Sequence, residues 1–282
     1  MSVDRLCFGT STFAAGRLCP DKDSAPGIAA LAEALGAGVR LVHSNPSLGT
    51  QWAVREAVDA ADRPQGIKHL IKVELPLDAS TSTAQAMIEG LLSSSIEGLG
   101  TNRLHAAVIE VDLKRTVDRS LLVDGAAVTD FYQRAAELAL STDMVNAVIG
   151  YCHSPAHLSA CMKVPTIRAY AAQYNLIEAW PALHFDDLQL TQRPFVGMAP
   201  LRRGLLVNEA GSTGRDRLRA LRWVLGHPAV WCTAITISSI THLSDVLEAA
   251  EMPLPASDVE RHARAWQQAG TVSTRPQTVI TS

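Results

Sequence analysis

His43, Lys72 and Glu110 stand at or near the ends of three successive short apolar runs. If those runs are neighbouring strands, their ends converge, and an imidazole, an amine and a carboxylate share one pocket. These groups move protons: a positioned acid or base contributes roughly 10²–10⁴-fold in rate. Glu110 would be the base or acid, Lys72 would stabilise negative charge developing on an oxygen, and His43 would orient or shuttle the proton. The same Lys72–Glu110 pair has a structural reading, a buried ion pair kept for charge balance. A desolvated Lys72 can also form a Schiff base, but a carboxylate beside it keeps the amine protonated, which ranks that route lower. His43 is open between a satisfied polar group and a catalytic one. Asn45, on the same loop, is placed to orient a substrate.

Tyr151, Cys152 and His153 follow one another at the end of the fifth run. Alternation along a strand sends Cys152 and His153 to opposite faces. That argues against a Cys–His nucleophilic pair and leaves Cys152 as a small filler, with His153 reaching into the mouth. A metal held by His43, Glu110 and His153 lacks a dense ligand motif in its support. Arg202 and Arg203 follow the seventh run, where they serve equally as anion ligands or as solvated loop charges.

The bulk numbers narrow the classes. A net charge of −3 gives no basic field for nucleic acid or an anionic membrane. No signal-type N-terminus and no long apolar span are read. Five scattered cysteines, an odd number without a C-x-x-C pair, argue against a disulfide framework or structural zinc. The expectation is a reduced cytoplasmic protein with a small-molecule substrate. No interface patch is legible, so the oligomeric state stays open.

Short apolar runs alternate with amphipathic segments along the whole chain, the pattern of repeated βα units and a parallel sheet. Strands are read at Leu6–Gly9, Val39–His43, His69–Glu74, His105–Glu110, Ala147–Cys152, Ile167–Tyr174, Phe195–Ala199 and Val230–Ile235. Helices are read at Ile28–Leu35, Trp52–Ala61, Ala84–Ile96, Val128–Ala139, Ala156–Cys161, Asp187–Thr191, Arg215–Leu225 and Thr241–Ala250. Eight of each predict an α/β fold, a single closed (β/α)8 barrel, with chemistry at the C-terminal strand ends. One domain, residues 1–270, is expected, including a further helix at Ser257–Gln268, followed by a mobile tail at 271–282.

The segment Gly38-Val39-Arg40-Leu41-Val42-His43-Ser44-Asn45-Pro46-Ser47-Leu48-Gly49 resembles the "G-I-R-F-F-D-T-A-x-x-Y-G" stretch of the aldo-keto reductases. Phe8-Gly9-Thr10, Leu99-Gly100-Thr101, Gln173-Tyr174-Asn175-Leu176, Ala199–Leu206 and Ala220–Val230 resemble other family segments in the same order. The resemblance implies the barrel, carbonyl reduction and a nicotinamide cofactor. It also implies which parts are replaced. The catalytic Asp position is His43, the proton-donating Tyr position is Leu48, the His position is Glu110, and Lys72 alone matches the tetrad. Residues that would meet the cofactor are Gln173, Met198 in place of a stacking aromatic, Pro200, Leu201, Arg203, Ser238 and Ser239. The pair that would hold the nicotinamide amide is Cys152-His153.

Three functions follow. The first is a small-molecule enzyme repurposed to cofactor-independent acid–base chemistry (elimination, isomerisation or cyclisation), with Leu48, Asn45, Tyr151 and His153 toward the substrate. The second is a divergent oxidoreductase using NADP or NAD, with Tyr151 or His43 as substitute acid. The third is a non-catalytic member that binds a ligand or a protein.

Overall fold

The computed structural model describes residues 3–14, 23–202, 214–252, 254–255 and 257–258. Arg203, Cys19, most of the helix read at Ser257–Gln268 and the tail at 271–282 lie outside the described residues.

Eight parallel strands close into one barrel in sequence order. They are β1 Leu6–Gly9, β2 Leu41–Ser44, β3 Lys68–Leu75, β4 Leu104–Val111, β5 Val145–Tyr151, β6 Ala169–Gln173, β7 Phe195–Met198 and β8 Val230–Thr236. Closure comes from β1 pairing with β8, Cys7 opposite Ala234 and Gly9 opposite Thr236. The helices are α1 Ala25–Gly36, α2 Gln51–Ala60, α3 Thr81–Leu99, α4 Gly125–Ser141, α5 Pro155–Met162, α6 Phe185–Leu190, α7 Gly214–Gly226 and α8 Ile240–Glu251.

Each of the eight strands and eight helices expected for the barrel exists, with shifted ends. β2 begins at Leu41 rather than Val39, because the chain leaves α1 through Gly38 at φ +100 and pairs only afterwards. β6 is the shortest against expectation, Ala169–Gln173 rather than Ile167–Tyr174. Tyr174 continues as an apolar residue but packs among Phe185, Phe195 and Trp223 beyond the strand. α3 starts earlier than its apolar periodicity, since Ser80 caps it by accepting from the Thr83 N–H.

Strand side chains alternate between two cores. Val42, Ile71, Ile109 and Val148 face outward and pack under the helices. Leu41, Leu70, Val108, Ile149 and Val196 face inward and fill the barrel. The interior is therefore packed with apolar side chains below the C-terminal strand ends.

One outward position is close to the packing limit. A Cβ at Gly150 would lie 2.1 Å from Cys161 Sγ, so β5 and α5 meet here with no room for a side chain. A second outward position titrates. His69 on β3 is buried, and its Nδ1 has no hydrogen-bond partner among the described residues. Burial lowers its pKa to about 4 from the ordinary 6.5. As pH falls below 6.5 the unfolded chain takes up this proton first, so stability declines until about pH 4. The gap corresponds to about 3 kcal/mol. Urea unfolding at pH 7 and pH 4.5 is expected to show a decline that His69→Leu makes shallower; an unchanged slope in that variant would contradict the assignment.

Candidate active site

β2, β3, β4 and β5 each raise an inward polar side chain to the mouth, at the level where the apolar filling stops. Lys72 is the centre. Its Nζ lies 2.7 Å from Glu110 Oε2 and 2.8 Å from Glu74 Oε1. It also lies over the Tyr151 ring, 5.7 Å from the centroid. The register explains the arrangement: Glu74 on β3 is paired directly with Glu110 on β4. Lys72, one inward position below Glu74, reaches up between the two carboxylates. Burial pushes the Lys72 amine down, but Glu110 and Glu74 outweigh that and hold it above its ordinary value. It is an ammonium, which leaves the Schiff-base route without its nucleophile.

Glu110 is mostly buried. Burial alone would raise its pKa, yet the His153 ring and the Lys72 ammonium hold it below the ordinary carboxylate value. Its Oε1 lies 3.2 Å from His153 Nε2. Its Oε2, shut off from solvent, is within ion-pair distance of Lys72 but receives no aligned hydrogen bond from a described residue.

His43 closes the cluster from β2. Burial, then the nearby Lys72 charge, lower its pKa to about 4, partly offset by Glu110, so the ring is neutral at pH 7. Its Nε2 is also sealed from solvent without a hydrogen bond. Asn45 caps the short turn Pro46–Leu48 by accepting from the Ser47 N–H, and its Nδ2 donates to Glu74 Oε2 at 3.0 Å. Leu48, in that turn, is 40% exposed. The position that the resemblance aligned with a proton-donating tyrosine is therefore a partly exposed hydrocarbon.

Cys152 and His153 part as alternation requires. Cys152 is buried in the outer core, 4.0 Å from Tyr132 Oη, which donates to the Tyr151 carbonyl. His153 turns to the mouth, with Nε2 also 3.3 Å from the Val111 carbonyl. The structure thus brings His43, Asn45, Lys72, Glu110, Tyr151 and His153 together. It adds Glu74, which the sequence reading passed over. Glu74 sits two residues after Lys72 on one strand, so period two alone would have placed both on one face.

The positions implied for a cofactor lie on the other half of the mouth. Gln173 ends β6 beside Met198, which is buried in the barrel. Pro200 is buried, and Leu201 packs against the outer core. Ser238 Oγ is 2.9 Å from His242 Nδ1, and Ser239 caps α8 by accepting from the His242 N–H. A nicotinamide amide needs free donors and acceptors at Cys152-His153. Here the thiol points away and the imidazole Nε2 is committed to Glu110 and Val111. Of that pair only His153 Nδ1, which bonds to no described residue, is left to meet an amide. Among the described residues no three His, Cys, Asp or Glu side chains are grouped to hold a metal ion, and no helix is long and apolar enough to cross a membrane.

No family model matches the sequence, and no curated protein matches it. Solved structures do. The thermostable aldo-keto reductase Tm1743, solved with the inhibitor epalrestat, superposes with a TM-score of 0.69 at 16% identity, over 94% of this chain and 95% of that one. The aldo-keto reductase AKR11C1 from Bacillus halodurans superposes in its holo form with a TM-score of 0.70 at 18% identity, over 92% of this chain and 91% of that one. Its apo form gives 0.69 at 20% identity, over 97% and 94%. With eight parallel strands closed in sequence order and this likeness over nearly the full length, the chain has the (β/α)8 fold of the aldo-keto reductases.

Proposed function

We propose that this protein is an enzyme that moves a proton on a small carbonyl compound without a redox cofactor, in an elimination, isomerisation or cyclisation. One observation carries the reading. Lys72, Glu110 and His153 form an unbroken chain of contacts at 2.7 and 3.2 Å at the mouth of a barrel whose reductase acid position is Leu48. Fold alone does not assign chemistry, but such a cluster of titratable groups in a cleft is a site signature. The Glu110–His153 pair accepts the proton. The Lys72 ammonium, fixed in place by two carboxylates, stabilises charge developing on the carbonyl oxygen. Neutral His43 packs beside them from β2.

The test is exchange with solvent. The full chain is incubated in D2O with a panel of ketones, aldehydes and β-hydroxycarbonyl compounds, and loss of C–H signal or of water is followed by proton NMR. Lys72→Ala is expected to slow turnover roughly 10²–10⁴-fold, and Glu110→Gln about 10-fold. Unchanged rates in both variants would end the reading.

The fold likeness, together with the Gln173 amide that bonds to no described residue at the mouth, favours a second reading, an NAD(P)H-dependent oxidoreductase. Calorimetric titration with NADPH and NADH separates the two. Tight binding with carbonyl-dependent oxidation of the nucleotide supports the reductase; no binding of either nucleotide supports the proton-transfer enzyme.

A further inference from the structure

We infer that the atom taking and returning the proton is His153 Nδ1, and that Glu110 is its positioning residue. This rests on the proton-transfer reading and names the base within it. His153 Nε2 lies between two acceptors, Glu110 Oε1 at 3.2 Å and the Val111 carbonyl at 3.3 Å. Neither can donate, since one is an ionised carboxylate and the other a carbonyl. The Nε2 proton therefore stays in place in both charge states of the ring, and the second proton comes and goes at Nδ1. Nδ1 bonds to no described residue. A hydrogen bond at one ring nitrogen thus selects the nitrogen that reacts.

The ring is also held. It packs at 5.2 Å against Tyr151 and edge-on at 6.1 Å to His157. His157 is itself tied to the Leu122 carbonyl at 3.0 Å. The His153 side chain keeps 22% of its surface exposed, so a substrate can reach it. The alternatives at the mouth serve less well. Glu110 is stabilised as the ion by its neighbours, which weakens it as a base. His43 has lost affinity for a proton through burial.

The step balances without another reactant. A C–H bond next to the substrate carbonyl breaks, and its electron pair forms the C=C bond of the enolate. The carbonyl π pair moves to oxygen, toward the Lys72 ammonium, and the proton goes to Nδ1. The imidazolium then returns that proton to carbon in isomerisation. In elimination it gives the proton to the departing β-hydroxyl, which leaves as water while the enolate pair forms the C=C bond.

Two measurements test this on the full chain. Long-range ¹⁵N–¹H correlation of labelled protein, with His153 assigned by its disappearance in His153→Gln, should show the proton on Nε2. Glu110→Ala should mix the two tautomers. A wild-type proton fixed on Nδ1 would overturn the inference. In the D2O assay, His153→Gln and His153→Asn should lower exchange at least about 100-fold, and Glu110→Ala about 10-fold. Imidazole added to His153→Gly should restore part of the rate. Wild-type-like exchange in folded His153→Gln and His153→Asn overturns the inference and leaves the reading standing. Absence of exchange by the wild type across the whole panel overturns the reading, and the catalytic role of Nδ1 with it.

Discussion

Replacing Lys72 by methionine is expected to cost about 3–5 kcal/mol of stability at pH 7, the usual consequence of removing one member of a buried ion pair. The methionine keeps the apolar stem but leaves Glu74 and Glu110, paired across β3 and β4, facing each other with no cation between them. The pH dependence identifies the cause. In the wild type the Glu110 pKa lies below its ordinary 4.5. The unfolded chain then takes up the proton first as pH falls, so the Glu110 contribution is complete above about pH 4.5 and is lost on acidification. In Lys72→Met, burial and the neighbouring carboxylate push Glu110 the other way. The folded state now takes up the proton first, and the deficit shrinks as pH falls from 7 toward 5. Urea unfolding across that range should show the variant gaining on the wild type. Adding Glu110→Gln to Lys72→Met should recover most of the loss at pH 7. A constant deficit at all pH values would mean that the cluster is not electrostatically coupled.

Gly150→Ala is expected to be of similar size, about 3 kcal/mol, for a steric reason. The new Cβ would fall 2.1 Å from the buried Cys161 Sγ and 3.6 Å from the Ile167 side chain. Overpacking of this kind typically costs about 1–3 kcal/mol, more where nothing yields. In a chain of this length the melting temperature should fall by about 6–12 °C. Cys161→Ala removes the atom that is struck, so the double variant should be more stable than Gly150→Ala alone, a coupling that a double-mutant cycle reads directly. Equal stability of Gly150→Ala and wild type would show that α5 moves aside freely. The position matters to the site, because Tyr151 ends the same strand and His153 follows two residues later.

The barrel was legible because period-two and helical patterns alternate without interruption, and because each βα unit repeats the same problem of burying one strand face outward and one inward. Strand ends were less so. They depend on where pairing starts, as at β2, where Gly38 delays it, and on whether an apolar residue packs in the sheet or beside it, as Tyr174 does. The site divides along the same line. Lys72 and Glu110 could be placed together from strand order alone. The contact of His153 with Glu110 could not, since it depends on how the chain turns after β5. Glu74 was visible in the alternation but read as the end of a strand. Cys152 shows the converse case: alternation turned it away from His153 as a small filler, and it is buried in the outer core.

His43, Asn45, Lys72, Glu74, Glu110, Tyr151 and His153 all come from β2 through β5 and their loops, whereas Gln173, Met198, Pro200, Leu201, Ser238 and Ser239 come from β6 through β8. The groups proposed to handle the proton thus form a contiguous cassette on one arc of the barrel, and the positions the resemblance implies for a cofactor, Cys152-His153 apart, lie on the other. Selection can erode one arc without disturbing the other. A half-barrel swap that joins residues up to α5 to the β6–β8 half of a reductase would keep the cassette whole beside a reductase's own β6–β8 residues.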